Sequence, residues 1–127
     1  MTQNTSPFKS TSGLKRIACA MRYSAQGLKH AFTHEAAFRQ ELALLVVALP
    51  VAAIISRSVT EFALLVGVLI LVLIVELLNS ALEAVADAVT LEHHPLIGRA
   101  KDTGSAAVLL SFVLAGLVWL GVLVSHF

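Results

Sequence analysis

The sequence predicts an all-α membrane protein, with three transmembrane helices preceded by an amino-terminal amphipathic surface helix. Three observations carry that prediction. Of 127 residues, 57% are hydrophobic and only 13% are charged, far from the balance of a soluble domain. Mean hydropathy is +0.86, and the apolar residues gather in three long tracts. Ahead of them lies a stretch in which apolar residues recur at three and four. This composition argues against a water-soluble enzyme or binding module. A chain of this length has room for one domain of about three spans of roughly 20 residues, so a deep site is expected to need more than one copy.

Residues 1–12, rich in Thr, Ser and Asn, lack a long apolar core and are expected to form a disordered cytoplasmic tail rather than a signal peptide. The surface helix is predicted over 14–34. Leu14, Ile17, Ala18, Met21, Ala25, Leu28 and Phe32 share an arc of about 100°, and Lys15, Arg16, Arg22, Tyr23, Gln26, Lys29 and His30 cover the other side. A basic amphipathic helix before hydrophobic spans belongs in the membrane interface; packing on a soluble partner is the alternative.

The first span is predicted at about 36–56, with Pro50 as a tolerated kink. The second, about 62–86, opens with 14 apolar or glycine residues from Phe62 and then acquires Glu76, Asn79, Glu83 and Asp87. A clean third span covers about 105–125, with Trp119 as an interfacial anchor. Eight of the nine Lys and Arg residues fall in the tail, the surface helix with its junction, and an expected loop over about 90–104; Arg57 stands alone on the other side. The positive-inside rule therefore places the amino terminus inside and the carboxyl terminus outside. The lone Cys19 excludes an internal disulfide and reads as a small filler residue.

The segment VELLNSALEAVADAV (75–89) is the informative one. With Glu76 at zero on a helical wheel, Asn79 falls near −60°, Glu83 near −20° and Asp87 near +20°, one narrow stripe. Ionisable residues at membrane depth are costly and usually mark function. Counting about 1.5 Å per residue from Phe62 puts Glu76 some 20 Å deep and Glu83 near 30 Å, at the inner headgroups. A carboxylate at the first depth suits proton abstraction, and one at the water boundary suits a hard cation. Helix association through hydrogen bonds is the plainer reading for Asn79. Glu35 and Glu41, flanking the turn AAFRQ (36–40), serve equally well as solvated interfacial charges. Asp102 or Thr103 could cap the third span, Lys101 could simply obey the charge rule, and His93 and His94 beside Glu92 could be solvated. No nucleotide fingerprint is present, so a nucleotide would be held by cations and a carboxylate-held metal.

The strings EAAFRQE (35–41), VELLNSALEAVADAV (75–89) and GRAKDTGSAAVLL (98–110), with Arg16, Tyr23 and Ser24 before them, closely resemble the small prokaryotic integral-membrane diacylglycerol kinases, from about residue 13 to the end. The resemblance implies a homotrimer in the bacterial inner membrane, with the amino terminus cytoplasmic and the carboxyl terminus periplasmic. It implies that ATP and Mg2+ are used to phosphorylate the primary hydroxyl of diacylglycerol at the inner leaflet, giving phosphatidic acid. By the same resemblance Glu76 is the general base and Asn79 a polar residue supporting it. Glu35 and Glu83 are the metal-holding carboxylates, and Arg16, Tyr23, Glu92, His93, His94, Lys101 and Asp102 are nucleotide-contacting positions. Site residues come from neighbouring chains in that family, and no nucleic acid is among the expected partners. The chain departs from the common pattern at Cys19 and Ala25. Competing readings are an undecaprenol kinase of the same fold, a small cation or proton channel lined by the stripe, and a non-catalytic assembly subunit.

Overall fold

The computed structural model describes residues 13–127; the tail expected at 1–12 lies outside the described residues. Four helices follow in order, α1 (Gly13–His34), α2 (Ala36–Ile55), α3 (Val59–Val89) and α4 (Pro95–Val124), with no strand among the described residues. The last three are each long and apolar enough to cross a membrane.

The described residues divide into two compact units, 13–34 and 35–127. Helix α1 carries the expected amphipathic pattern, and Leu14, Ile17, Met21, Leu28 and Phe32 along its apolar stripe are exposed. Its last turn is closed by Thr33, whose hydroxyl donates to the Lys29 carbonyl at 2.7 Å.

In the second unit α3 packs chiefly on α4 and next on α2. One core cluster joins Ala48, Val68, Leu69, Val72 and Ala115, and a second joins Ala52, Leu65 and Val122. Lipid supplies no hydrophobic drive between apolar helices, so small side chains such as Ala48, Ala52 and Ala115 matter by allowing close approach. The long aliphatic side chains on the remaining faces are exposed, as lipid-facing residues must be.

Helices α3 and α4 run antiparallel in a register fixed by specific contacts. Lys101 meets Asp87, Glu76 and Val108 line one cavity, and the Trp119 Nε1–H donates to the Leu65 carbonyl at 3.1 Å. Trp119 packs against both core clusters, so it locks the bundle from within instead of serving as the expected interfacial anchor. An indole N–H in an apolar setting needs an acceptor, and this carbonyl provides one.

The helix starts differ from the sequence reading for local reasons. Helix α3 begins at Val59, with the Ser58 hydroxyl accepting from the Glu61 N–H at 3.1 Å. Glu61 in turn accepts from the Arg57 N–H at 2.7 Å, a reciprocal arrangement close to a capping box. Helix α4 begins at Pro95, so most of the loop expected over 90–104 is helical and only residues 90–94 join it to α3. Pro95 occupies the first turn, where its missing N–H costs nothing, and His94 Nδ1 accepts from the Leu96 N–H at 3.2 Å. Asp102 and Thr103 therefore do not cap the span: they lie inside α4, where the Thr103 hydroxyl donates to the Arg99 carbonyl at 2.7 Å.

Candidate active site

Helix periodicity brings the polar residues of α3 to one side, and packing then separates them by burial. Glu76 is only 7% exposed, Asn79 is half-buried, and Glu83 and Asp87 are exposed. The Glu76 carboxylate feels the negative charges of Glu83 and Glu35, so each of the two acids expected as metal holders is within electrostatic reach of the expected base. Glu35 is the residue before α2 and makes no side-chain capping bond, which leaves its carboxylate uncommitted to the helix it precedes. Asn79 bridges the stripe, its Nδ2 donating to Glu83 Oε1 at 3.3 Å.

Around Glu76 lies a cavity of about 370 Å³ lined by Ala37, Gln40, Glu41, Leu44, Glu76, Val108 and Phe112. Glu41 is the residue missed by sequence reasoning, which left it as a flanking charge at the junction. It is 8% exposed, its Oε2 has no hydrogen-bond partner, and the Glu76 charge acts on it. A signal existed: Glu41 falls three residues after Phe38 and seven before Ala48, in register with the buried stripe of α2.

A second, polar cavity of about 300 Å³ opens where α3 passes to α4, lined by Asp87, Thr90, Leu91, Glu92, His93, His94, Ile97, Gly98 and Lys101. The structure thus gathers Glu92, His93, His94 and Lys101, four of the nucleotide-contacting positions suggested by resemblance. The Lys101 ammonium donates to Asp87 Oδ1 at 2.6 Å, which holds a cation at the cavity wall. His94 Nδ1 is engaged as the α4 cap, so its ring has only Nε2 free for a ligand. Asp102 is exposed and lies outside the residues lining this cavity. Arg16 and Tyr23 are exposed on α1, seven residues apart and so on one face of that helix.

The donor chemistry suits a hard cation. Among the described residues no group of three His, Cys, Asp or Glu side chains is arranged to enclose a metal, which disfavours a cage of the zinc type. Carboxylate oxygens such as those of Glu35 and Glu83 are the ligand type Mg2+ takes alongside phosphate oxygens and water.

In chemical terms, a shielded carboxylate faces a largely apolar cavity, exposed carboxylates lie further along the same helix, and beyond them is a polar cavity with a fixed ammonium. Such a site can handle an amphiphile from one side and a polyanion from the other. A family profile described as prokaryotic diacylglycerol kinase matches residues 22–123. The chain is 51% identical over 118 residues to the diacylglycerol kinase of Pseudomonas aeruginosa, covering 93% of this chain and 96% of the relative. It is 46% identical over 117 residues to that of Escherichia coli K12, covering 92% and 96%, and 42% identical over 113 residues to that of Haemophilus influenzae, covering 89% and 96%. Extended similarity of this kind, across all four helices and both cavities, establishes that the chain belongs to the prokaryotic diacylglycerol kinase family.

Proposed function

We propose that this chain is a multi-pass bacterial inner-membrane lipid kinase, transferring the γ-phosphoryl group of ATP to the primary hydroxyl of diacylglycerol at the inner leaflet and yielding phosphatidic acid and ADP. The observation that carries the reading is the placement of Glu76, shielded in a mainly apolar cavity while Glu83 stands exposed on the same stripe. Seven residues of helix separate the two carboxylates by about 10 Å, enough for lipid and nucleotide to meet from opposite sides.

Glu76 acts as the general base, accepting the hydroxyl proton as the alcohol oxygen attacks the γ-phosphorus in line and ADP departs. Asn79 keeps the Glu83 carboxylate in place through its Nδ2 bond. Lys101, held by Asp87, presents positive charge to the phosphates, and Glu92, His93 and His94 line the same cavity. Arg16, Tyr23 and Asp102 are assigned to the nucleotide by resemblance. Glu35 and Glu83 would hold Mg2+, which would supply charge neutralisation to the phosphate oxygens.

The working unit is a homotrimer whose sites are shared between chains. This follows from the family resemblance, and from a chain of only three spans, which is short for enclosing a deep site by itself. The topology follows the cation distribution, with the amino terminus cytoplasmic and the carboxyl terminus periplasmic. The undecaprenol reading gains nothing from the three relatives described above, each of which carries the diacylglycerol kinase name. A channel is not favoured either, since α3 is apolar or glycine at every position from Phe62 to Val75.

The test is transfer of labelled phosphate from ATP to short-chain diacylglycerol in mixed micelles, run beside undecaprenol. Glu76→Gln is expected to lower turnover by about 10² to 10⁴, the usual worth of a positioned base, with helix content and assembly unchanged. Turnover at the wild-type level would remove Glu76 from the role of base, and a preference for undecaprenol would reassign the substrate.

A further inference from the structure

Gly104 occupies an unusual place among the glycines of this chain. A Cβ added at any of the other six would find nothing within 4 Å outside its own helix and immediate chain neighbours, whereas at Gly104 it would overlap Asn79 Oδ1 and come within 3.5 Å of Asn79 Cγ and 3.8 Å of Leu82 Cδ1. No glycine has a positive φ, so conformational freedom is not what this position requires. Gly104 lies within α4, where glycine is otherwise a poorer helix former than alanine. The gain that offsets this is the space left by the missing side chain, and the Asn79 carboxamide fills it.

The placement of that carboxamide is specific. Asn79 Oδ1 is buried without a hydrogen-bond partner, and Nδ2 donates to Glu83 Oε1 at 3.3 Å. An orphaned carbonyl oxygen against a glycine Cα has only a weak C–H donor near it, so shape rather than a strong bond holds it there. Asn79 lies three residues after Glu76 and four before Glu83, the spacings at which helix side chains meet. If its end group is displaced, the direction of the Glu83 carboxylate changes with it.

We infer that Gly104 is a positioning residue for the phosphoryl-transfer site: the missing Cβ on α4 is the seat for the Asn79 carboxamide, which in turn orients Glu83. The inference rests on the proposed role of Glu83 in holding the nucleotide-bearing divalent ion. Its reach is narrow. A methyl at position 104 acts through Asn79, so it disturbs the divalent ion and nucleotide and leaves handling of the lipid alone.

The experiment is a double-mutant cycle with Gly104→Ala, Asn79→Ala and the two combined, with Glu83→Gln beside them. Three readouts are taken on the intact detergent-solubilised protein: thermal midpoint without metal or nucleotide, Mn2+ binding by electron paramagnetic resonance with a non-hydrolysable ATP analogue, and KM for each substrate. Gly104→Ala is expected to lower the thermal midpoint, to weaken Mn2+ binding about tenfold, and to raise KM for ATP with KM for diacylglycerol within twofold of wild type. In the Asn79→Ala background the same methyl is expected to leave Mn2+ binding within twofold and to raise the midpoint, because alanine is then the better helix former. Equal losses in both backgrounds, or no effect of Gly104→Ala alone, would overturn the inference. If Glu83→Gln binds Mn2+ like wild type, the metal role of Glu83 falls. The melting cycle, which involves neither metal nor nucleotide, still decides whether Gly104 seats Asn79.

Discussion

Glu41 shows how one side chain can be costly to the fold and useful to the site. Its carboxylate is 8% exposed with an orphaned Oε2, and an unsatisfied buried polar group costs about 1 to 3 kcal/mol. Aliphatic replacement removes that penalty while keeping most of the volume. Glu41→Leu is therefore expected to raise the thermal unfolding midpoint, by the equivalent of about 1 to 3 kcal/mol, and to lower turnover on diacylglycerol. Calorimetry and the micelle assay on the same preparation check both halves; a variant that melts earlier would show that Glu41 is satisfied in the assembled protein. Asn79 makes a related point. Its Nδ2 is used and its Oδ1 is not, so half of the group holds Glu83 and half is held by shape.

At the scale of elements, helix boundaries determine which residues reach the site. Because α4 begins at Pro95 and not near residue 105, Lys101 is on a regular helix facing α3, and its ammonium reaches Asp87. A flexible loop over the same residues would leave that pairing to chance. The opposite end of α3 is set by Ser58, which caps it, and by Glu61, which accepts from the Arg57 N–H and lies 3.2 Å from His126 Nε2. Arg57 also donates to the His126 carbonyl at 3.2 Å, so this turn holds the end of the chain beyond α4. Ser58→Ala removes one orphan-donor acceptor and is expected to cost about 1 kcal/mol, read as a lower thermal midpoint in detergent with kinase turnover preserved. Loss of turnover in step with the melting shift would instead tie this turn to the site. The capping pattern Ser58-x-x-Glu61 and the proline at the start of α4 were both legible in the sequence, and both mark helix starts that hydropathy alone places several residues late.

For the whole molecule, two properties can be measured directly. Shared sites in a homotrimer predict complementation: mixing Glu76→Gln chains with Glu83→Gln chains, dissociated and reassembled together, is expected to restore part of the activity that neither has alone. Mixed assemblies as inactive as their parents would place each site within one chain. Topology is read through the single cysteine. Cys19 is half-exposed on α1, so a membrane-impermeant maleimide is expected to label it in inside-out vesicles and to leave it unlabelled in spheroplasts. Ser125→Cys, in a Cys19→Ser background, is expected to behave in the opposite way. The reverse pattern would invert the assigned orientation.

The class of the protein, the number of spans and the stripe from Glu76 to Asp87 are legible in the residues alone, because they depend on hydropathy and on the 3.6-residue period within one helix. The motif strings extended that reading to the family. Tertiary structure decided what no single helix contains: that Glu41 is buried beside Glu76, that Lys101 is held by Asp87, that Trp119 bonds to the Leu65 carbonyl, and that Gly104 receives Asn79. Each joins residues on different helices, from 14 to 54 positions apart in the two cases fixed by hydrogen bonds. Periodicity names the face a residue occupies on its own helix, and only packing selects the neighbour that face meets.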